Sequence, residues 1–159
     1  MRATMIAIPT ADDMEALGAR VARLLRAGDV VCLTGELGAG KTTFSRGLGR
    51  ELAVRGTVTS PTFVVARTHP RADGVPFVHV DAYRLNNASE LADLDIDWDR
   101  SISVVEWGQG MLESVVDDWL EIVIERSHSA DDETRTVTLN AVGTRGTELA
   151  SALGRDESA

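Results

Sequence analysis

Lysine is almost missing from this chain: among 16 basic residues Lys41 is the single lysine, and every other one is arginine. Cysteine occurs once, as Cys32, so no disulfide can form within the chain and no cysteine-rich zinc site can be built. The three histidines, His69, His79 and His128, are scattered and do not repair that lack. Positive charge is in deficit overall. A formal net charge of −9 and a pI near 4.7 oppose a broad basic face for DNA or RNA, so a nucleic-acid role is expected to run through a partner. No apolar run approaches the roughly 18 residues of a membrane span, and no basic flank, apolar core and cleavage site mark a secretory signal. A cytoplasmic protein without membrane contact is the expectation. No G-x-S-x-G elbow supports Ser-His-Asp chemistry, and a chain with one lysine outside such a motif has no N-K-x-D guanine reader.

Where the lysine stands carries the chemistry. Gly35-Glu36-Leu37-Gly38-Ala39-Gly40-Lys41-Thr42 has the G-x-x-x-x-G-K-[ST] spacing of a phosphate-binding loop. A compact ammonium acts as a point charge on phosphate oxygens, where a guanidinium would fork. The glycines let backbone N–H groups converge on an anion, and a helix beginning near Lys41 adds the positive end of its dipole. The Thr42 hydroxyl suits magnesium, which takes oxygen ligands. An apolar, β-branched run from Asp29 to Thr34 precedes the loop, and Phe44, Leu48 and Leu52 follow at helical spacing.

Two further apolar runs deliver an acid at their carboxyl ends, Phe77-Val78-His79-Val80-Asp81 and Ile102-Ser103-Val104-Val105-Glu106. Ligands of open α/β sheets collect beyond that end of the strands, so both acids are candidates for metal or water chemistry. Strand alternation places His79 and Asp81 on one face. Met5 to Ile8 reads as a strand and Met14, Leu17, Val21 and Leu24 as one face of a helix capped by Thr10 or Asp12. A polar connection over Gly56 to Thr62 leads to a strand at Phe63 to Ala66. Trp119 to Glu125 and Thr136 to Val142 alternate like an antiparallel pair, with a short helix near Thr147 to Leu153. Asp95, Asp97 and Asp99 with Glu106 copy part of a calcium loop. Arg100 stands where that loop wants glycine, and Ser103 to Trp107 reads as strand, so a solvated acidic loop accounts for them better.

The segments Gly35 to Gly47, Ser60-Pro61-Thr62-Phe63, His79-Val80-Asp81-Ala82-Tyr83-Arg84-Leu85, Glu90-Leu91 and Glu106-Trp107 together resemble the bacterial tRNA threonylcarbamoyladenosine biosynthesis ATPase family, TsaE, formerly YjeE. The resemblance spans about residues 10 to 125. It implies a compact α/β ATPase, and with the residue reading the expectation is a single P-loop NTPase-like domain over residues 1 to 153, a mixed, mostly parallel sheet flanked by helices with antiparallel C-terminal strands, and a disordered tail over 154 to 159. It implies a magnesium-dependent ATPase, slow alone, with ATP and Mg2+ as cofactors and a two-subunit threonylcarbamoyl transferase as partner. That assembly modifies the adenosine next to the anticodon in tRNAs reading A-starting codons, and this subunit would reset it, meeting tRNA only through it. By the same resemblance Leu37, Gly38, Ala39, Gly40 and Lys41 would cradle the β- and γ-phosphates, and Thr42 with Glu106 would ligate magnesium. Asp81 would be the essential acid beside Lys41 and Glu106, with the Asp81 and Glu106 roles open to exchange. Ser60 and Thr62 would sense the γ-phosphate, and adenine would lie near Thr10 and Ala11. Two other functions share the first motif: a small-molecule kinase using Arg67 or Arg71 in a lid, and a nucleotide-dependent binding module without essential hydrolysis. The kinase leaves Ser60 to Phe63 and Glu106-Trp107 without a role.

Overall fold

The computed structural model describes residues 4–36, 38–54, 65–127 and 132–158, with side chains up to 154. Its elements run β1 (Thr4–Ile8), α1 (Ala11–Leu24), β2 (Val30–Thr34), α2 (Lys41–Glu51), β3 (Ala66–His69), β4 (Phe77–Asp81), α3 (Ala88–Ala92), β5 (Ile102–Glu106), β6 (Trp119–Arg126), β7 (Arg135–Val142) and α4 (Gly143–Ser158). All seven strands form one sheet in the order β1-β7-β6-β2-β5-β4-β3. β6, β2, β5 and β4 are parallel neighbours, whereas β7 runs against both β6 and β1, and β3 against β4. Five strands therefore point one way, giving the expected mixed, mostly parallel sheet with an antiparallel C-terminal pair.

Burial follows sequence pattern. β2 and β4 are buried over their first four residues and β5 over all five, as strands covered on both faces must be, while β6 and β7 alternate. Val31, Leu33, Ile102, Val104, Ile122 and Leu139 face a core shared with α1, α2 and α4. Val30, Cys32, Val80 and Val105 face a second core with Leu91 of α3 and Leu112. Fully burying side chains such as Phe44 and Leu48 stabilises by about 1.5–3 kcal/mol each. Burial pushes the Cys32 thiol up to about 12, which leaves it an inert core group.

α1 and α2 meet at unusually close range. A Cβ at Gly47 would fall 2.1 Å from Glu15 O, and one at Gly18 would fall 2.2 Å from Phe44 O, so each glycine lets the other helix's backbone in. That contact sets the start of α1 against the phosphate loop.

Two expectations shift. β3 occupies Ala66–His69 rather than 63–66, of which Phe63 and Val64 lie outside the described residues. α4 begins at Gly143 and continues through the segment expected as a disordered tail as far as Ser158. Arg145 explains its early start. Its guanidinium donates to both carboxylate oxygens of buried Asp29 at 2.8 Å and to Leu24 O at 2.7 Å, and its N–H donates to Asp118, contacts distant in sequence. Where a calcium loop would open its second helix, the chain forms β5, as the sequence indicated. No helix among the described residues is long and apolar enough to cross a membrane.

Candidate active site

The loop between β2 and α2 leaves the carboxyl end of a central strand, and the ends of β4 and β5 come up beside it. β4 and β5 pair in register so that Asp81 lies opposite Glu106, and Glu106 in turn lies opposite Leu33 of β2. Two acids 25 residues apart in sequence thus become neighbours, Glu106 one strand and Asp81 two strands from β2, which feeds the loop. The ladder continues past them, with Ala82 N–H donating to Glu106 O at 2.8 Å and Trp107 N–H to Leu33 O at 3.1 Å.

Gly40 caps α2 with φ +122°, a left-handed backbone that side chains resist, and among the described residues no side chain closes the helix end. The first turn of α2 holds no acid. Its N–H groups therefore keep their capacity for an outside anion. Lys41, 6% exposed, donates to Gly35 O, and to Glu36 O at 3.0 Å, and its Nζ sits 4.5 Å from the centroid of the Trp107 ring. Burial lowers its pKa, and the charges of Glu106 and Asp81 oppose that shift. Trp107 holds φ +62°, rare for a bulky residue, and its ring lies 5.2 Å from that of Tyr83 at 60°.

The two acids differ. Asp81 is half-buried, accepts from Tyr83 N–H at 3.0 Å, and is raised above the usual carboxylate range chiefly by burial. Glu106 is 3% exposed and lies 2.5 Å from His79 Nε2. Thr42, the second residue of α2, is half-buried beside Lys41. Among the described residues no group of three His, Cys, Asp or Glu could hold a metal by protein ligands alone. One hydroxyl and one or two carboxylates beside an anion cradle instead fit magnesium, which keeps waters and shares phosphate oxygens. The residues present fit a magnesium-bound nucleotide.

Beyond the loop, a cavity of about 240 Å3 is lined by Thr10, Ala11 and Met14 of the α1 start, by Gly38, Ala39, Gly40 and Thr43, and by Glu133 and Arg135. Thr10 and Ala11 therefore do approach the loop. The sequence marks Met14 only as part of the α1 face and gives no site role to Thr43, Glu133 or Arg135. Arg135 donates from Nε to Ala39 O at 3.1 Å and from Nη1 to Glu133 O at 2.7 Å, tying the β7 start to the phosphate loop across 96 residues. No motif announces such a contact, because only the β6–β7 pairing delivers it. Leu37, Ser60 and Thr62 lie outside the described residues.

The sequence model of the family described as "Threonylcarbamoyl adenosine biosynthesis protein TsaE" matches residues 8–137. A Streptomyces coelicolor protein named "tRNA threonylcarbamoyladenosine biosynthesis protein TsaE" is 56% identical over 137 residues, covering 83% of this chain and 93% of its own. A Bacillus subtilis protein of the same name is 37% identical over 150 residues, covering 92% and 90%. The crystal structure of Bacillus subtilis YdiB is similar with a TM-score of 0.77 at 29% identity, covering 98% of this chain and 97% of that one. A match running from the start of α1 through the phosphate loop and both strand-end acids to Arg135 means that the chain belongs to the TsaE family.

Proposed function

We propose that this protein is a magnesium-dependent ATPase that serves threonylcarbamoylation of the adenosine next to the anticodon in tRNAs reading A-starting codons. It binds a two-subunit threonylcarbamoyl transferase and resets it through ATP hydrolysis. The relatives' names carry the pathway, tRNA threonylcarbamoyladenosine biosynthesis. The site carries the chemistry, and one observation carries most of it: a lone ammonium at an uncapped helix start with two acids in register beside it.

Phosphoryl transfer to water needs in-line placement and neutralised phosphate charge more than covalent help. Gly38 to Gly40 and the first turn of α2 present N–H groups to the β- and γ-phosphates. Lys41 leaves the carbonyls of Gly35 and Glu36 to take phosphate oxygens. Thr42 and Glu106 would hold magnesium, which would supply positive charge to offset that of the phosphate oxygens. Asp81 orients the attacking water and accepts its proton, a role favoured by its raised pKa, since a base closer to neutrality is the better acceptor. The Thr10, Ala11 and Met14 cavity takes the adenine, with Arg135 steadying Ala39.

Reconstitution with the transferase pair, unmodified tRNA and ATP tests the reading. Multiple-turnover modification that depends on this chain and stops with a non-hydrolysable ATP analogue is expected. Equal turnover without the chain, or with the analogue, overturns it.

A further inference from the structure

His79 has no task in the reading above, yet it touches the proposed metal ligand. The ring lies within β4, fully buried, with Val104 as its register partner and Glu106 two residues further along β5. Its Nε2 is 2.5 Å from Glu106 Oε2. Among the described residues no other hydrogen bond reaches that carboxylate. Stacking fixes the plane of the ring: Phe77 lies 5.9 Å away at 18°, and His69 stacks in turn on Phe77 at 5.6 Å and 21°.

The other nitrogen settles the proton's place. Nδ1 is buried and meets no hydrogen-bond partner among the described residues. A neutral imidazole carries one N–H. On Nδ1 that donor would be orphaned while the Nε2 lone pair faced a carboxylate lone pair, two penalties at once. On Nε2 it donates to Oε2, and the atom left alone is an acceptor only.

We propose that His79 is the positioning residue of Glu106: its Nε2–H fastens Oε2 and leaves Oε1 as the one oxygen of that carboxylate offered to magnesium. Magnesium tolerates little departure from octahedral geometry, so a carboxylate free to swing or to chelate through both oxygens would bind it less well. Partners behind metal ligands commonly carry about 10–100-fold in metal affinity. The metal half of this inference rests on the proposed function. The hydrogen bond does not.

Two measurements separate them. Nitrogen-15 NMR of histidine-labelled, metal-free protein is expected to show His79 with its proton on Nε2, and a proton on Nδ1 overturns the proposal whatever the protein binds. Mn2+ binding in the presence of ADP, followed by electron paramagnetic resonance, reads the second half. Gln places an amide N–H near the Nε2 position and Asn does not, so His79→Gln is expected to stay within about 3-fold of wild type while His79→Asn and His79→Leu lose about 10–100-fold. ADP affinity without metal should be unchanged in all three. Equal Mn2+ affinity in Leu and wild type, or equal loss in Gln and Leu when both melt as wild type does, overturns it. If Leu fails to fold, the Gln and Asn pair decides alone. Wild-type protein that binds no Mn2+ with ADP counts against the proposed function, and the NMR result then decides the hydrogen bond.

Discussion

The two helices that pack most closely here begin in opposite ways. α1 is closed by its own residues: Thr10 Oγ1 accepts from Asp13 N–H at 3.1 Å, Asp13 accepts from Thr10 N–H at 3.1 Å, and Asp12 and Asp13 place negative charge on the helix start. α2 has a glycine cap, no acid in its first turn and a cation as its first residue, against the preference of the dipole. Local stability is satisfied in one and forgone in the other. The donors and charge that α1 satisfies internally are what α2 keeps available for a phosphate, and the loop carbonyls of Gly35 and Glu36 hold Lys41 meanwhile.

Removing the charge from the open end should have the largest effect. Lys41→Ala is expected to remove nucleotide binding, and calorimetry showing unchanged ATP affinity would make the two helix ends functionally alike. Next come the acids beside that end. Glu106→Gln and Asp81→Asn should lower single-turnover hydrolysis by about 10²–10⁴-fold, with nucleotide affinity changed far less. Wild-type rates in both would detach the acids from the reaction.

The contact joining the two helices comes third. Gly47→Ala drives a methyl group into the Glu15 backbone and should cost about 1–3 kcal/mol or more in denaturant unfolding, with the cavity at Thr10 and Ala11 disturbed as well. Unchanged stability would show that α1 and α2 can separate freely. Thr10→Ala, at the closed end, should cost about 1 kcal/mol. A larger loss than that of Gly47→Ala would reverse the ranking of cap and contact.

The smallest effect concerns pH. Burial raises the Asp81 pKa, so the folded protein holds that proton more tightly than the unfolded chain does. The stability linked to it is present at low pH and lost as pH rises through the folded value. Asp81→Asn should therefore melt above wild type at pH 8, with the gap closing below about pH 3, where aspartate is largely protonated in both states. A gap that widens on acidification would mean the carboxylate stabilises the fold. A site acid that destabilises its own protein belongs with an uncapped helix: both serve ligand before fold.

Much of this was legible in order along the chain. β4 and β5 fall where their apolar runs lie, each ending on its acid, because a strand buried on both faces must be mostly apolar and the first acidic residue marks its end. The phosphate loop is equally visible, since glycine and lysine at fixed spacing are demanded by local backbone geometry. Strand alternation put His79 on one face with Asp81, but nothing in the strand itself named a partner for its ring. Its partner depends on how β4 slides against β5, which no spacing within one strand records.

Sequence alone settled what depends on near neighbours: one lysine committed to a phosphate loop, two strands that hand over acids, and a charge that discourages direct contact with nucleic acid. Tertiary structure decided what depends on distant partners. The sheet register set Asp81 opposite Glu106 and His79 against it, the glycine contacts laid α1 along α2, and the β7 start brought Arg135 to Ala39. The reason is physical: backbone conformation follows from a residue and its neighbours, whereas a contact between strands or helices follows from the packing of the whole chain, which local pattern constrains but does not specify.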